Sequence, residues 1–292
     1  MVRIGIVGSD SSHADAFSQL INLPDAKTGE FAFPGFEVSA IFGLDRERTE
    51  EVARNGKIPF IAEKPEDMLD KVDAVMVVFR HGGLHLKYAL PFIQAQMPTW
   101  IDKPFAVSNE DARKLIEAAK VHKTLLTGGS DCKYASDIVT LKNIVENSSR
   151  IGKVKTAMLN FPAELTNEYG GLCFYGAHLV EMTMEVFGYN PKSVMASEQN
   201  ENVVAVVKYD DYQVVMNFIP GASQYYAILF GENGTMTREI DISMIYSAGI
   251  EKFTGMIKSG KLPLPLEHLY ASVRLLNAVV ESYETHTDIL LN

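Results

Sequence analysis

From Met1 to about Thr127 short apolar runs alternate with amphipathic helical stretches, and no other feature narrows the fold as far. The predicted strands are Ile4–Val7, Glu37–Phe42, Ala74–Val78, Pro98–Ile101 and Thr124–Thr127. Between them the spacing predicts helices over Ala14–Ile21, Arg46–Arg54, Leu84–Gln94 and Asn109–Val121. The last follows Ser108, which can cap it while Asp111 completes a capping box, and Ala112, Leu115, Ile116 and Ala119 form one apolar face. Strands separated by helices are joined by crossovers, so the expected sheet is parallel with helices on both faces. Ligands of such sheets bind beyond the carboxyl ends of the strands.

A further helix is predicted over Tyr134–Glu146, and then the rhythm changes. Val154–Phe161, Ser193–Ser197, Val203–Tyr209, Gln213–Phe218, Ala227–Phe230 and Thr235–Ile240 read as strands, with YDDYQ and GENGTM as hairpin-type turns. Helices are expected at His178–Phe187 and Leu266–Tyr283. A chain of 292 residues suits two domains of ordinary size. The reading is α/β: a doubly wound parallel sheet over residues 1–127, then an α+β domain over 128–292 with an open, mainly antiparallel sheet. The closing helix is free to pack back on the first domain.

Composition removes several function classes. A net charge of −10 argues against nucleic-acid binding, which depends on clustered Lys and Arg. No apolar run approaches the ~20 residues of a membrane span, and no signal-peptide pattern precedes the first strand. Two cysteines, Cys132 and Cys173, make no disulfide framework, so a reduced, cytoplasmic protein with a small-molecule partner is expected.

Four stretches can carry chemistry. The first, Gly8-Ser9-Asp10-Ser11-Ser12-His13, has the frame of a dinucleotide-binding turn, G-x-G-x-x-G, with Asp10 and His13 at the later glycine positions. A carboxylate at Asp10 would repel a pyrophosphate, unless it caps its own helix start, which is the reading adopted; Ser11 and Ser12 offer donors. In TWIDKPFAV, Asp102 and Lys103 end a strand, and Pro104 disfavours a helical conformation at Lys103. An ammonium there can donate to a substrate oxygen or exchange a proton, or it is a plain surface lysine before a turn. In YGGLCFYGAHLVEM, His178 and Glu181 lie three apart and share a helix face, so His178 either meets a ligand or is a structural hydrogen-bonder. In FRHGGLHLKYAL, His81 and His85 stand four apart, but Gly82 and Gly83 interrupt the helix and no carboxylate lies close by. A loop bordering a cofactor is preferred there, and no metal is expected.

The ordered set IGIVG, His85, DKP, RIGKV, GGLCFYGAH and GENGTM resembles the glucose–fructose oxidoreductase, inositol dehydrogenase and rhizopine-catabolism (Gfo/Idh/MocA) family over essentially the whole chain, as a divergent member. The resemblance implies an N-terminal Rossmann domain, a C-terminal sheet that supports a homodimer or homotetramer, and hydride transfer between NAD or NADP and a sugar, cyclitol or polyol. It places the family's E-K-P motif on Asp102, Lys103 and Pro104, and implies catalytic roles for Lys103 and His178. It implies cofactor contacts for Gly8, Asp10, Ser11, Ser12, His13, Asp45, His85, Lys103 and Pro104, and substrate contacts for Asp102, Tyr175, Glu181 and His81. Two departures stand out. The acid of the family's D-x-G-x-H motif is Phe174 here, leaving Tyr175 and Glu181 as replacements. Where an acid often ends the second strand stands Gly43, with Asp45 either reaching the ribose or capping a helix; the space at Gly43 would admit a 2′-phosphate near Arg46 and Arg48. Lyase or hydrolase chemistry through a retained cofactor, and non-catalytic ligand sensing, are the alternative readings.

Overall fold

The structure, a computed structural model, describes residues 1–148 and 150–291. The chain divides into two compact units, one of Met1–Ala106, Glu110–Gly129 and Tyr246–Glu267, the other of Val107–Asn109, Ser130–Ile245 and the chain from His268 on.

The first unit holds β1 (Val2–Val7), α1 (Ser12–Asn22), β2 (Phe36–Phe42), α2 (Arg46–Asn55), β3 (Phe60–Ile61), β4 (Ala74–Val77), α3 (His85–Gln94), β5 (Thr99–Ile101), α4 (Asn109–His122) and β6 (Leu126–Gly128). Its six strands lie in the order β3-β2-β1-β4-β5-β6, all parallel. This is the doubly wound Rossmann arrangement, with the order reversing beside β1. The strands are short and unalternating because helices cover both faces: every residue of β4, Ala-Val-Met-Val, is buried. The two-residue β3 was too short to show a period in the sequence.

The second unit contains α5 (Ser136–Glu146), β7 (Val154–Phe161), α6 (Leu172–Phe187), β8 (Ser193–Gln199), β9 (Asn202–Lys208), β10 (Gln213–Phe218), β11 (Tyr226–Gly231) and β12 (Thr235–Glu239). The sheet runs β12-β11-β7-β10-β9-β8 and ends on a two-residue strand, β13 (Ile289–Leu290), seen only in the structure. It is mixed: β7 and β10 pair in parallel, every other pair is antiparallel. Strict alternation puts Val194, Val207, Val214, Ala157 and Leu229 on a buried face. The opposite, open face carries Met195, Val206, Val215, Met158 and Ile228 as one cross-strand row, each in register with the next.

One helix was not predicted. α7 (Ile245–Ser259) carries Gly249 and Gly255, which lower helix propensity by about 1 kcal/mol each. Burial of Ile250, Phe253 and Met256 outweighs that cost. Its residues from Tyr246 on belong to the first unit, where Phe253 meets the fully buried Trp100 edge-on at 6.1 Å and Tyr246 packs on Phe17 at 5.6 Å. Such aromatic pairs contribute about 0.5–1.5 kcal/mol beyond area burial. Gly260 at φ 66° ends the helix. α8 (Leu266–Thr285) lies in the second unit apart from its first two residues, and Ser282 Oγ accepts the Ala196 N–H at 2.8 Å.

Candidate functional site

In the first unit the site is built at the carboxyl ends of β1, β4 and β5. Gly8 follows β1 at φ 113°, and a Cβ there would sit 2.7 Å from the Phe79 backbone nitrogen, so only glycine lets the two chain passages approach. Ser11 caps α1, its Oγ accepting the His13 N–H at 3.1 Å. Asp10 therefore does not cap the helix, contrary to the sequence expectation. Its Oδ2 turns to the loop after β4 and accepts the Arg80 N–H at 3.2 Å, because Ser11, one residue later, already holds the capping position.

His13 points inward. Its Nδ1 lies 2.7 Å from Asp102 Oδ2 as an ion-pair contact, both side chains being buried, and its ring packs on Tyr246 and Phe17. Burial works against ionisation of Asp102, but the His13 imidazole and the Lys103 ammonium outweigh it and hold the carboxyl below its usual range. Lys103 is itself buried, and so is not the exposed lysine of the competing reading. The Lys103–Pro104 peptide is cis.

The flanking histidines are tied to backbone. His81 caps the 3₁₀ turn Gly82–Leu84, its Nδ1 accepting the Gly83 N–H at 3.0 Å. His85 is completely buried and its Nε2–H donates to the Phe79 carbonyl at 2.9 Å; burial pushes this imidazole down, so it is neutral and braces the loop after β4.

At the end of β2, a Cβ on Gly43 would collide with Ser9 Oγ and Thr49 Oγ1, themselves hydrogen-bonded at 2.8 Å, so glycine lets the Ser9 turn and α2 close up on the strand end. Asp45 caps α2 by accepting the Arg48 N–H at 3.0 Å, the second of its two expected roles. Both nearby arginines face carboxylates. Arg46 pairs with Glu50 at 2.7 Å and Glu63 at 2.9 Å, and Arg48 pairs with Asp15 and with Glu51 at 2.6 Å.

These residues fit a dinucleotide: Gly8 removes a Cβ at the chain passage, and the first-turn amides of α1 with Ser11 and Ser12 provide an anion-binding helix start. The Asp10 carboxylate, satisfied by Arg80, is directed at the chain's own backbone.

In the second unit a separate group gathers on α6. The helix begins at Leu172, so His178 sits in its second turn, not at its start as the sequence suggested. His178 is 6% exposed and its Nδ1 lies 2.7 Å from Ser130 Oγ and 3.3 Å from Cys132 Sγ. Glu181, one turn on, accepts the Ser130 N–H at 2.8 Å and pairs with Lys133 Nζ at 2.6 Å. Burial would push the Lys133 ammonium down, but the Glu181 carboxylate outweighs it and holds it above its ordinary value. Phe174 is buried against Tyr169 at 4.9 Å, and Tyr175 is exposed with its ring 5.7 Å from His178.

Sequence reading missed Ser130, Cys132 and Lys133, which occupy the N-cap and body of a 3₁₀ turn, Asp131–Tyr134. The only local signal was Ser130 as a turn cap; a lysine that ends up buried looks like any surface lysine until its partner is known. Among the described residues, no helix is long and apolar enough to cross a membrane, and no group of three or more His, Cys, Asp or Glu side chains is placed to hold a metal ion.

Comparison with known proteins agrees with this architecture. Residues 2–130 match the profile described as "Oxidoreductase family, NAD-binding Rossmann fold". The scyllo-inositol 2-dehydrogenase (NADP(+)) IolW of Bacillus subtilis strain 168 is 24% identical over 243 residues, 79% of this chain and 62% of that protein. The chain thus spans less than two thirds of that relative's length. Two solved structures superpose over nearly the whole chain. GenD2 from gentamicin A biosynthesis, in complex with NAD, has a TM-score of 0.85 at 17% identity, covering 100% of this chain and 96% of that one. The scyllo-inositol dehydrogenase of Lactobacillus casei with NAD(H) and scyllo-inositol has a TM-score of 0.84 at 15% identity, covering 99% of both. The six-stranded sheet, the Gly8 turn and the Asp102-Lys103-Pro104 strand end all lie within residues 2–130, the stretch that matches the Gfo/Idh/MocA oxidoreductase family model.

Proposed function

We propose that the protein is a nicotinamide-dependent oxidoreductase acting on the CH–OH group of a cyclitol, sugar or related polyol. The observation that carries the reading is buried Lys103, held beside ionised Asp102 at the carboxyl end of β5, where doubly wound sheets bind ligands. When bound, the nicotinamide supplies the hydride chemistry. Lys103 holds the reacting oxygen and exchanges its proton. His178 donates a hydrogen bond to a substrate oxygen. Gly8, Ser11 and Ser12 receive the pyrophosphate at the start of α1. Names of relatives support the polyol class, as one acts on scyllo-inositol and another was solved with it. Arg46 and Arg48 are already matched by carboxylates, so a 2′-phosphate would have to compete with Glu50, Glu63, Asp15 and Glu51. NAD is therefore the preferred cofactor of this reading.

Titration with NADH and NADPH, followed by fluorescence, and turnover on a panel of inositols and sugars test it. Tighter NADH binding and reduction of NAD⁺ by at least one cyclitol are expected. Binding with no turnover on any polyol would replace this reading with chemistry through a retained cofactor. Binding of neither nucleotide would overturn it.

The open sheet face supports a homo-oligomer. The in-register row Met195, Val206, Val215, Met158 and Ile228 is apolar and partly accessible, which is where a second copy would bury area. Val206→Glu should convert the parent assembly to single chains in light scattering, with circular dichroism unchanged; a parent that is already monomeric overturns this. Cys132 and Cys173 are not joined in a disulfide, which accords with a reducing, cytoplasmic setting.

A further inference from the structure

On the reading that His178 meets the substrate, we infer that Ser130 is the positioning residue of this site: its hydroxyl fixes His178 as the Nε2–H tautomer, in place of a carboxylate. Phe174 removes the carboxylate that could have served His178. Its ring, one helical turn before His178 on α6, is buried among Tyr169 and Tyr175 and can neither orient nor charge an imidazole.

The group that does reach the imidazole comes from the turn before α5. Ser130 Oγ lies 2.7 Å from His178 Nδ1, the length of a good hydrogen bond. The same Oγ accepts the Cys132 N–H at 3.1 Å, which uses one of its two lone pairs and leaves its hydrogen available to His178. The Cys132 thiol, a weak donor, lies 3.3 Å from the same nitrogen. In the inferred tautomer both X–H groups converge on Nδ1, which accepts, and the ring's hydrogen resides on Nε2.

Ser130 is in turn held from behind. Its N–H donates to Glu181 Oε1 at 2.8 Å, and Glu181 Oε2 is pinned by Lys133 at 2.6 Å. Glu181 therefore does not replace the missing acid as a proton carrier: both of its oxygens serve the scaffold of Ser130. Ser130, Lys133 and Glu181 are all buried, so the chain Lys133–Glu181–Ser130–His178 is a fixed second layer of polar contacts under the imidazole. A neutral hydroxyl behind Nδ1 makes His178 a hydrogen-bond donor through its Nε2–H.

Long-range ¹H–¹⁵N spectra of histidine-labelled protein test this, with His178→Gln identifying the resonance. Near neutral pH the parent should show a pyridine-type Nδ1 and a pyrrole-type Nε2 at His178. Ser130→Ala should mix the tautomers and lower kcat roughly five- to tenfold, about the worth of one hydrogen bond, with KM changed less. Ser130→Thr, which retains the hydroxyl, should restore both. A pyrrole-type Nδ1 in the parent, or an unchanged tautomer in a folded Ser130→Ala protein, would overturn the inference. The spectra need no substrate, so failure of the polyol panel counts against the function proposed above and not against the tautomer.

Discussion

Lys103→Met should lower kcat for polyol oxidation by about 10²–10⁴-fold while NADH affinity stays near that of the parent. The side chain is buried at the end of β5 beside a carboxylate that His13 also binds, so methionine fills the same space and Asp102 keeps a partner. Folding should therefore survive, and the loss should fall on the chemical step. Lys103→Arg separates two explanations. Arginine retains the positive charge but does not give up its proton in proteins. If Lys103 exchanges a proton, the arginine variant is as inactive as the methionine variant; if the site needs only a charge, it recovers. Single-turnover measurements of nucleotide reduction read both variants, and parent-like kcat in Lys103→Met would remove the lysine from the mechanism.

The largest effect on stability is expected at Lys133→Met. The parent pair is buried on both sides, with Lys133 1% exposed. Removing the cation strands the Glu181 carboxylate, and breaking such pairs costs about 3–5 kcal/mol. That corresponds to a fall in melting temperature on the order of 10 °C. Adding Glu181→Gln should recover most of it, because an amide carbonyl still accepts the Ser130 N–H and the stranded charge is gone. Differential scanning calorimetry of parent, single and double variants reads the cycle. A double variant no more stable than the single one would show that the ion pair is not the source of the loss.

These two sites differ in how far the sequence revealed them. Asp102-Lys103-Pro104 was legible because a strand period, a proline and a basic residue coincide at a strand end, a place the topology already marks for ligands. The parallel sheet was legible for a related reason: its strands are apolar on both faces and separated by capped helices. Lys133, Ser130 and Cys132 were not, because what gives them meaning is Glu181 and His178, some 46–51 residues away, and no local pattern encodes that pairing. Asp10 illustrates competition between neighbours. It and Ser11 are both good capping residues, and the fold used the serine and sent the aspartate to Arg80. α7 was hidden by its glycines, and the mixed pairing of β7 with β10 by the likeness of parallel and antiparallel strands in a single sequence.

α7 also bears on the order in which the chain can mature. The six strands of the first sheet have all been made once Gly128 is in place, yet Phe17 and Trp100 still lack Tyr246 and Phe253. Those side chains leave the ribosome only after the whole second sheet up to β12 has been synthesised. Translation therefore delivers the nucleotide half early but its closing piece late, and for most of synthesis its aromatic core has an open side that a chaperone would meet before α7 arrives.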